Sequence, residues 1–172
     1  MYDGNYYRMM ADYNRWMNQS IFASCNRLSE HQRRQDMGAF FQSIHGTLDH
    51  ILYGDKAWMG RFVNEPFTVT TIGQLLYDDF AELRAERERE DQRIADWAQS
   101  LSDQWLQEPF IYTSNVDKQE RCAPAWVLVT HMFNHQTHHR GQVTTLLSQL
   151  GVDPGVTDIP WLPALNTLGT SD

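Results

Sequence analysis

Met37-Gly38-Ala39-Phe40-Phe41-Gln42-Ser43-Ile44-His45-Gly46-Thr47-Leu48-Asp49-His50-Ile51-Leu52-Tyr53-Gly54-Asp55-Lys56-Ala57-Trp58-Met59-Gly60-Arg61-Phe62 is the cleanest helical signal in the chain. Its apolar side chains fall at 37, 40, 41, 44, 48, 51, 52, 58, 59 and 62, spaced mostly by three and four. At 3.6 residues per turn that spacing lays one apolar stripe along a helix from about Met37 to Phe62. Working outward, a first helix is expected from about Asn5 to Leu28, with Tyr6, Met9, Met10, Tyr13, Trp16, Met17, Ile21 and Phe22 on its stripe. A third is expected from about Gly73 to Leu101. Its middle, Arg84 to Arg93, is almost wholly charged and reads as a solvated face carrying pairs such as Glu86 with Arg89 and Glu90 with Arg93. A fourth starts after Cys122-Ala123-Pro124, since Pro suits a first turn, and ends at Gly151.

Between the third and fourth helices, Glu108 to Asn115 is rich in β-branched and aromatic residues and ends in turn formers, which predicts a short β-hairpin or extended loop. After Gly151 the prolines at 154, 160 and 163 forbid a continuing α-helix, and Trp161 and Leu162 are expected to fold back on the rest. Four long helices with little strand predict an all-α protein, a four-helix bundle. At 172 residues it is read as a single domain, 1–172, able to bury a real core. The net charge of −8 argues against nonspecific binding to nucleic acid or to an anionic membrane. The N-terminus lacks a signal-peptide pattern, and no apolar run approaches a membrane span, so the expected setting is cytoplasmic, with Cys25 and Cys122 as reduced thiols.

Chemistry concentrates in His131-Met132-Phe133-Asn134-His135-Gln136-Thr137-His138-His139-Arg140-Gly141-Gln142, where four of the seven histidines lie. His135 and His139 are four apart, one turn above the other, a spacing that lets two imidazoles bind one divalent transition metal. With His135 set at zero on the wheel, Leu128 and Leu146 fall at roughly +20°, His139 at roughly +40°, Met132 at roughly +60° and Val143 at roughly +80°. Both histidines are thus expected to face inward, while His131 and His138, at roughly −40° and −60°, form a polar rim. The competing reading is a pair of core histidines bonded to each other or to backbone carbonyls, since a buried imidazole has two nitrogens to satisfy. A catalytic site needs a third ligand. The second helix offers His45, at one margin of the stripe, and His50, on a face with Ser43, Thr47, Gly54 and Ala57 where small residues permit close approach. Geometry leaves both open, with His50 only modestly ahead.

These motifs resemble a known family. His135-Gln-Thr-His-His139-Arg140-Gly141-Gln142 is similar to the closing signature of the DinB-like proteins, damage-inducible metalloproteins of the DinB/YfiT type, whose name is shared with an unrelated DNA polymerase. His50-Ile51-Leu52-Tyr53-Gly54-Asp55-Lys56-Ala57-Trp58 resembles the family's second-helix motif, and Tyr13-Asn14-Arg15-Trp16-Met17-Asn18 its opening helix. The resemblance implies up-down-down-up connections and a metal, nickel or zinc, held by His50, His135 and His139. It also implies a homodimer.

Three neutral imidazoles leave the metal its full charge and open positions, able to lower the pKa of a water or to hold a thiolate. Two functions follow. One is a metal-dependent enzyme acting on a small-molecule substrate, either a hydrolase or an S-transferase using a low-molecular-weight thiol such as bacillithiol or mycothiol. The other is a noncatalytic stress-response scaffold with a closed metal site, in which His131 or His138 supplies a fourth ligand. Asp55 is expected to orient a ligand, Gln142 to bind substrate or water or to make a core-edge hydrogen bond, and His131 and His138 to support the site. Arg140 is expected to point away, as a surface or dimer residue. No catalytic acid or base is identified, and no contact with nucleic acid or membrane is expected.

Overall fold

The structure is a computed structural model and describes residues 3–65, 67, 74–115 and 117–168. It is mostly helical, with a small two-stranded antiparallel sheet. Its elements run α1 (Gly4–Cys25), α2 (Glu30–Arg34), α3 (Ile44–Phe62), α4 (Phe80–Ser100), α5 (Asp103–Gln107), β1 (Pro109–Thr113), β2 (Glu120–Pro124) and α6 (Ala125–Gln149). Two 3-10 helices, Ile159–Trp161 and Pro163–Leu168, end the described residues. The four long helices pack around a shared interior: α1 against α4 and α6, α3 against α6 and α4.

The second helix starts later than its apolar stripe predicts. Ser43 is extended and its Oγ accepts from Gly46 N at 3.0 Å, so the helix is capped there and begins at Ile44. Met37 to Gln42 instead close a turn, with Met37 N donating to Gln42 O at 2.8 Å and Gly38 and Gln42 at positive φ. This frees Phe41 from the helix, while Phe40 is left 85% exposed. The third helix likewise starts at Phe80, where Asp79 caps Glu82 N at 2.9 Å. Its expected start at Gly73 lies outside the described residues. Leu76 N and Tyr77 N are turned instead onto the Asp49 carboxylate, at 2.9 and 3.0 Å.

The hairpin forms as expected, with β1 and β2 in antiparallel register through Ile111 opposite Cys122. Gly151, at φ 73°, ends α6 in the conformation that glycine adopts freely, and Val152 N reaches back to Leu147 O at 2.9 Å. The tail returns along α1: Tyr13 Oη donates to Thr157 O at 2.6 Å and Leu162 is buried. Trp161 does not follow it inward and stays 61% exposed. Cys25 and Cys122 are both free thiols, one buried and one exposed. No helix among the described residues is long and apolar enough to cross a membrane.

The interior is not wholly apolar. Six buried polar residues, drawn from all four long helices, close a ring of contacts. Asp55 pairs with Arg87, whose Nη2 lies 3.0 Å from Asp91 Oδ1. Asn14 Nδ2 donates to Asp91 at 3.2 Å, and Asn14 Oδ1 accepts from Arg140. Arg140 Nη1 donates to Gln136 Oε1 at 3.2 Å, and Gln136 Nε2 donates back to Asp55 Oδ1 at 2.6 Å. Asp55 and Asp91 share the Arg87 guanidinium, while Arg140 is held by the amide oxygens of Asn14 and Gln136, so no member of the ring is buried without a polar partner. The charged middle of the third helix is therefore only half a solvated face. Glu86–Arg89 and Glu90–Arg93 pair as expected, but Arg87, Glu90 and Asp91 are buried.

Candidate metal centre

His50 on α3 and His135 and His139 on α6 come together where the two helices pack. One ring nitrogen from each lies within 4.8 Å of the other two. The contact begins with a glycine. A Cβ on Gly54, one turn beyond His50, would stand 2.7 Å from His135 Cε1 and 3.0 Å from Nδ1, so only the missing side chain lets the His135 ring lie against α3. The small-residue face expected to permit close approach does so at this position.

His50 Nε2 and His135 Nε2 are 3.2 Å apart. Two nitrogens each about 2.0–2.1 Å from one zinc ion at the tetrahedral angle are about 3.3 Å apart, so this spacing fits two ligands of one ion. Phe41 stacks flat on His50, with centroids 3.7 Å apart and planes 19° apart, and meets His139 edge-on at 5.5 Å. His139 Nδ1 lies 2.8 Å from Gln142 Oε1. An amide oxygen only accepts, so Nδ1 carries the proton and Nε2 keeps its lone pair for a ligand bond. Gln142 is thus the residue that fixes His139. Its Nε2 is 3.4 Å from His138 Nε2, which ties His138 in one step further back.

The cluster is neutral at ordinary pH for a physical reason. Burial strips water from the rings, and a proton on one opposes a proton on the next. Burial, then the charge of His139, pushes His50 down to about 4. His135, pressed by burial and by His139, His50, His131 and His138, is pushed down to about 3. Burial also lowers His139, against the hydrogen bond it donates to Gln142. Imidazoles that are already neutral bind a cation without first losing a proton.

The cluster stands at the margin of the interior rather than in its middle. The buried face of α6 runs from roughly +20° to roughly +160° on the wheel above, centred near Gln136, so His139 at roughly +40° lies toward its margin and His135 at zero just outside it. His139 is buried and His135 half-buried. A cavity of about 520 Å³ opens on one side of His50, past Phe41 and Tyr53. A second, of about 260 Å³, opens on the other side and is shared by His50, His135, Trp58, Arg61, Tyr112 and His131.

The remaining predicted residues separate. His45 is not in the cluster: it is buried, with Nε2 2.9 Å from Tyr77 O. His131 is exposed, meets Trp58 edge-on at 5.2 Å and lies 6.1 Å from His135 by ring centroids, outside the ligand group. Two expectations are corrected. Asp55 orients no histidine; its carboxylate is spent on Arg87 and Gln136. Arg140 does not point away; it is buried in the polar ring, bonded to Asn14, Gln136 and Thr137 and lying 5.5 Å over the Tyr13 ring. The ring itself was missed, although a signal for it exists: Leu83, Arg87, Glu90, Asp91, Ile94 and Ala98 continue one stripe at helical spacing straight through the charged run. Phe41 could not have been found by periodicity, because its place depends on where Ser43 starts the helix.

The family model for the DinB family matches residues 1–170. The chain is also similar to Protein DinB of Bacillus subtilis (strain 168), 28% identical over 162 residues that cover 87% of this chain and 88% of that protein.

Proposed function

The chain belongs to the DinB family, and from that premise we propose that it binds one divalent metal ion, nickel or zinc, through His50, His135 and His139. The observation that carries this reading is the convergence of three neutral imidazole nitrogens within 4.8 Å, at a spacing that fits ligation, between two open cavities. Bound there, the ion would supply a Lewis acid able to lower the pKa of a water or a thiol toward neutrality. The chain's own residues do the positioning. Gly54 admits the His135 ring, Phe41 holds the plane of His50, and Gln142 holds the proton of His139 away from the ligand nitrogen.

The site is read as that of an enzyme, a thiol-dependent S-transferase or a hydrolase acting on a small molecule. Support comes from its position: neither His131 nor His138 joins the ligand group, and the cluster faces cavities of small-molecule size. A scaffold would close the coordination sphere instead. The four long helices are read with this as one four-helix bundle of up-down-down-up connections over 1–172, forming a cytoplasmic homodimer. The test is metal analysis by mass spectrometry of the purified protein beside His50→Ala and His135→Ala. About one ion per chain is expected in the wild type and none in either variant. A wild type that takes up neither zinc nor nickel on supplementation sinks the reading and leaves three core-edge histidines.

A further inference from the structure

We propose that Arg61 makes the smaller cavity a receptor for a carboxylate, so that the small molecule served by the histidine cluster is an organic anion. This rests on the metal-site reading above and names the class of ligand for that site. Arg61 lies in the last turn of α3, and its side chain lines the cavity that contains His50 and His135. The guanidinium is held in place: Nη1 donates to Ala57 O at 3.2 Å, Nη2 donates to Thr113 O at 3.3 Å, and Cζ lies 4.8 Å over the Trp58 ring and 5.8 Å over Tyr112.

What it lacks is a counter-charge. Among the described residues no carboxylate lies within ion-pair distance of Arg61, and no acidic side chain lines its cavity. The cavity on the other side of His50 shows the opposite arrangement. Its arginine, Arg34, is answered by Asp78 at 3.0 Å and Glu30 at 3.3 Å. Every partner of the half-buried guanidinium is neutral, so its full positive charge faces the cavity. Backbone carbonyls use two of its five N–H donors, and the aromatic faces fix its plane, so little freedom is lost when an anion docks. A single guanidinium, with no lysine and no second arginine lining this cavity, suits a carboxylate better than a phosphate.

The test compares 3-mercaptopropionate with its neutral amide, by NMR titration of both the metal-free and the zinc-loaded protein. The carboxylate is expected to bind about tenfold tighter than the amide, the ratio that one charge-assisted hydrogen-bonding contact gives. Arg61→Gln is expected to bring the ratio close to one with its zinc content unchanged, and Arg61→Lys to keep part of the preference. Equal affinity for acid and amide in the wild type overturns the proposal without recourse to any variant, as does a preference that survives Arg61→Gln. Displacement of the acid by inorganic phosphate at lower concentration than by propionate overturns the choice of carboxylate. The acid-to-amide ratio in metal-free protein reads Arg61 alone, whereas failure to load zinc breaks the metal reading, so the two failures are distinct.

Discussion

Two polar clusters lie side by side along α6, and they are built on opposite principles. The ring of Asp55, Arg87, Asp91, Asn14, Arg140 and Gln136 is buried, and every member has partners within it. The trio of His50, His135 and His139 is one residue out of step, at the edge of the same helix face, with nitrogens aimed at one another and cavities on both sides. Gln136 follows His135 and Arg140 follows His139, so the ring fixes the rotation of α6 that brings the histidines to the margin. The difference teaches what each cluster is for. Charges that satisfy one another stabilise a fold, whereas donors left facing each other are kept for a ligand.

The sharpest way to break this contrast is Arg87→Met. It leaves Asp55 and Asp91 buried without their cation, and a loss of about 3–5 kcal/mol is expected. In a chain of this size that lowers the melting temperature by roughly 6–20 °C. His135→Ala in metal-free protein is expected to change stability by only about 1 kcal/mol or less, as for a half-buried position with no obligatory partner. Thermal melts of the two variants side by side check this, and equal losses would dissolve the distinction between the clusters.

A smaller effect sharpens the other half. Gly54→Ala puts a Cβ against the His135 ring, which must shift. Zinc affinity, read by competition with a chromophoric chelator, is expected to fall about tenfold, in line with other groups that position ligands. Unaltered affinity would show that the close approach of α3 does not set the His135 position.

A further effect is on pH dependence. In metal-free protein, His50 and His135 have folded pKa values of about 4 and about 3, below the ordinary 6.5. The stability they contribute is present above 6.5 and is lost as the pH falls through about 4 and then about 3. Asp55 opposes them. Burial raises it to about 6, so its contribution is present below the ordinary 3.8 and is lost as the pH rises through about 6. Urea midpoints between these limits are expected to fall toward acid in the wild type and to fall less steeply in His50→Ala. Identical slopes would mean that the histidines do not sense their burial.

The sequence determined the four long helices, though neither their starts nor the short helices α2 and α5, because apolar residues at three- and four-residue spacing share a face on a helix. It also presented the His135–His139 pair, since a four-residue step on any helix stacks two side chains. Resemblance to a family then preferred His50 over His45, and packing brought His50 to that pair while His45 turned to Tyr77 O. Tertiary structure alone decided the rest. The α4 stripe marks Arg87 and Asp91 as inward, but which partners they and Arg140 meet there depends on four helices coming together, and no single stripe records that meeting. The open site at His50 likewise depends on Ser43 ending the turn before α3, which places Phe41 on the imidazole rather than in the core stripe. A helix pattern constrains one element at a time, but a buried charge is tolerable only when its partners arrive from other elements, and that condition is written in three dimensions.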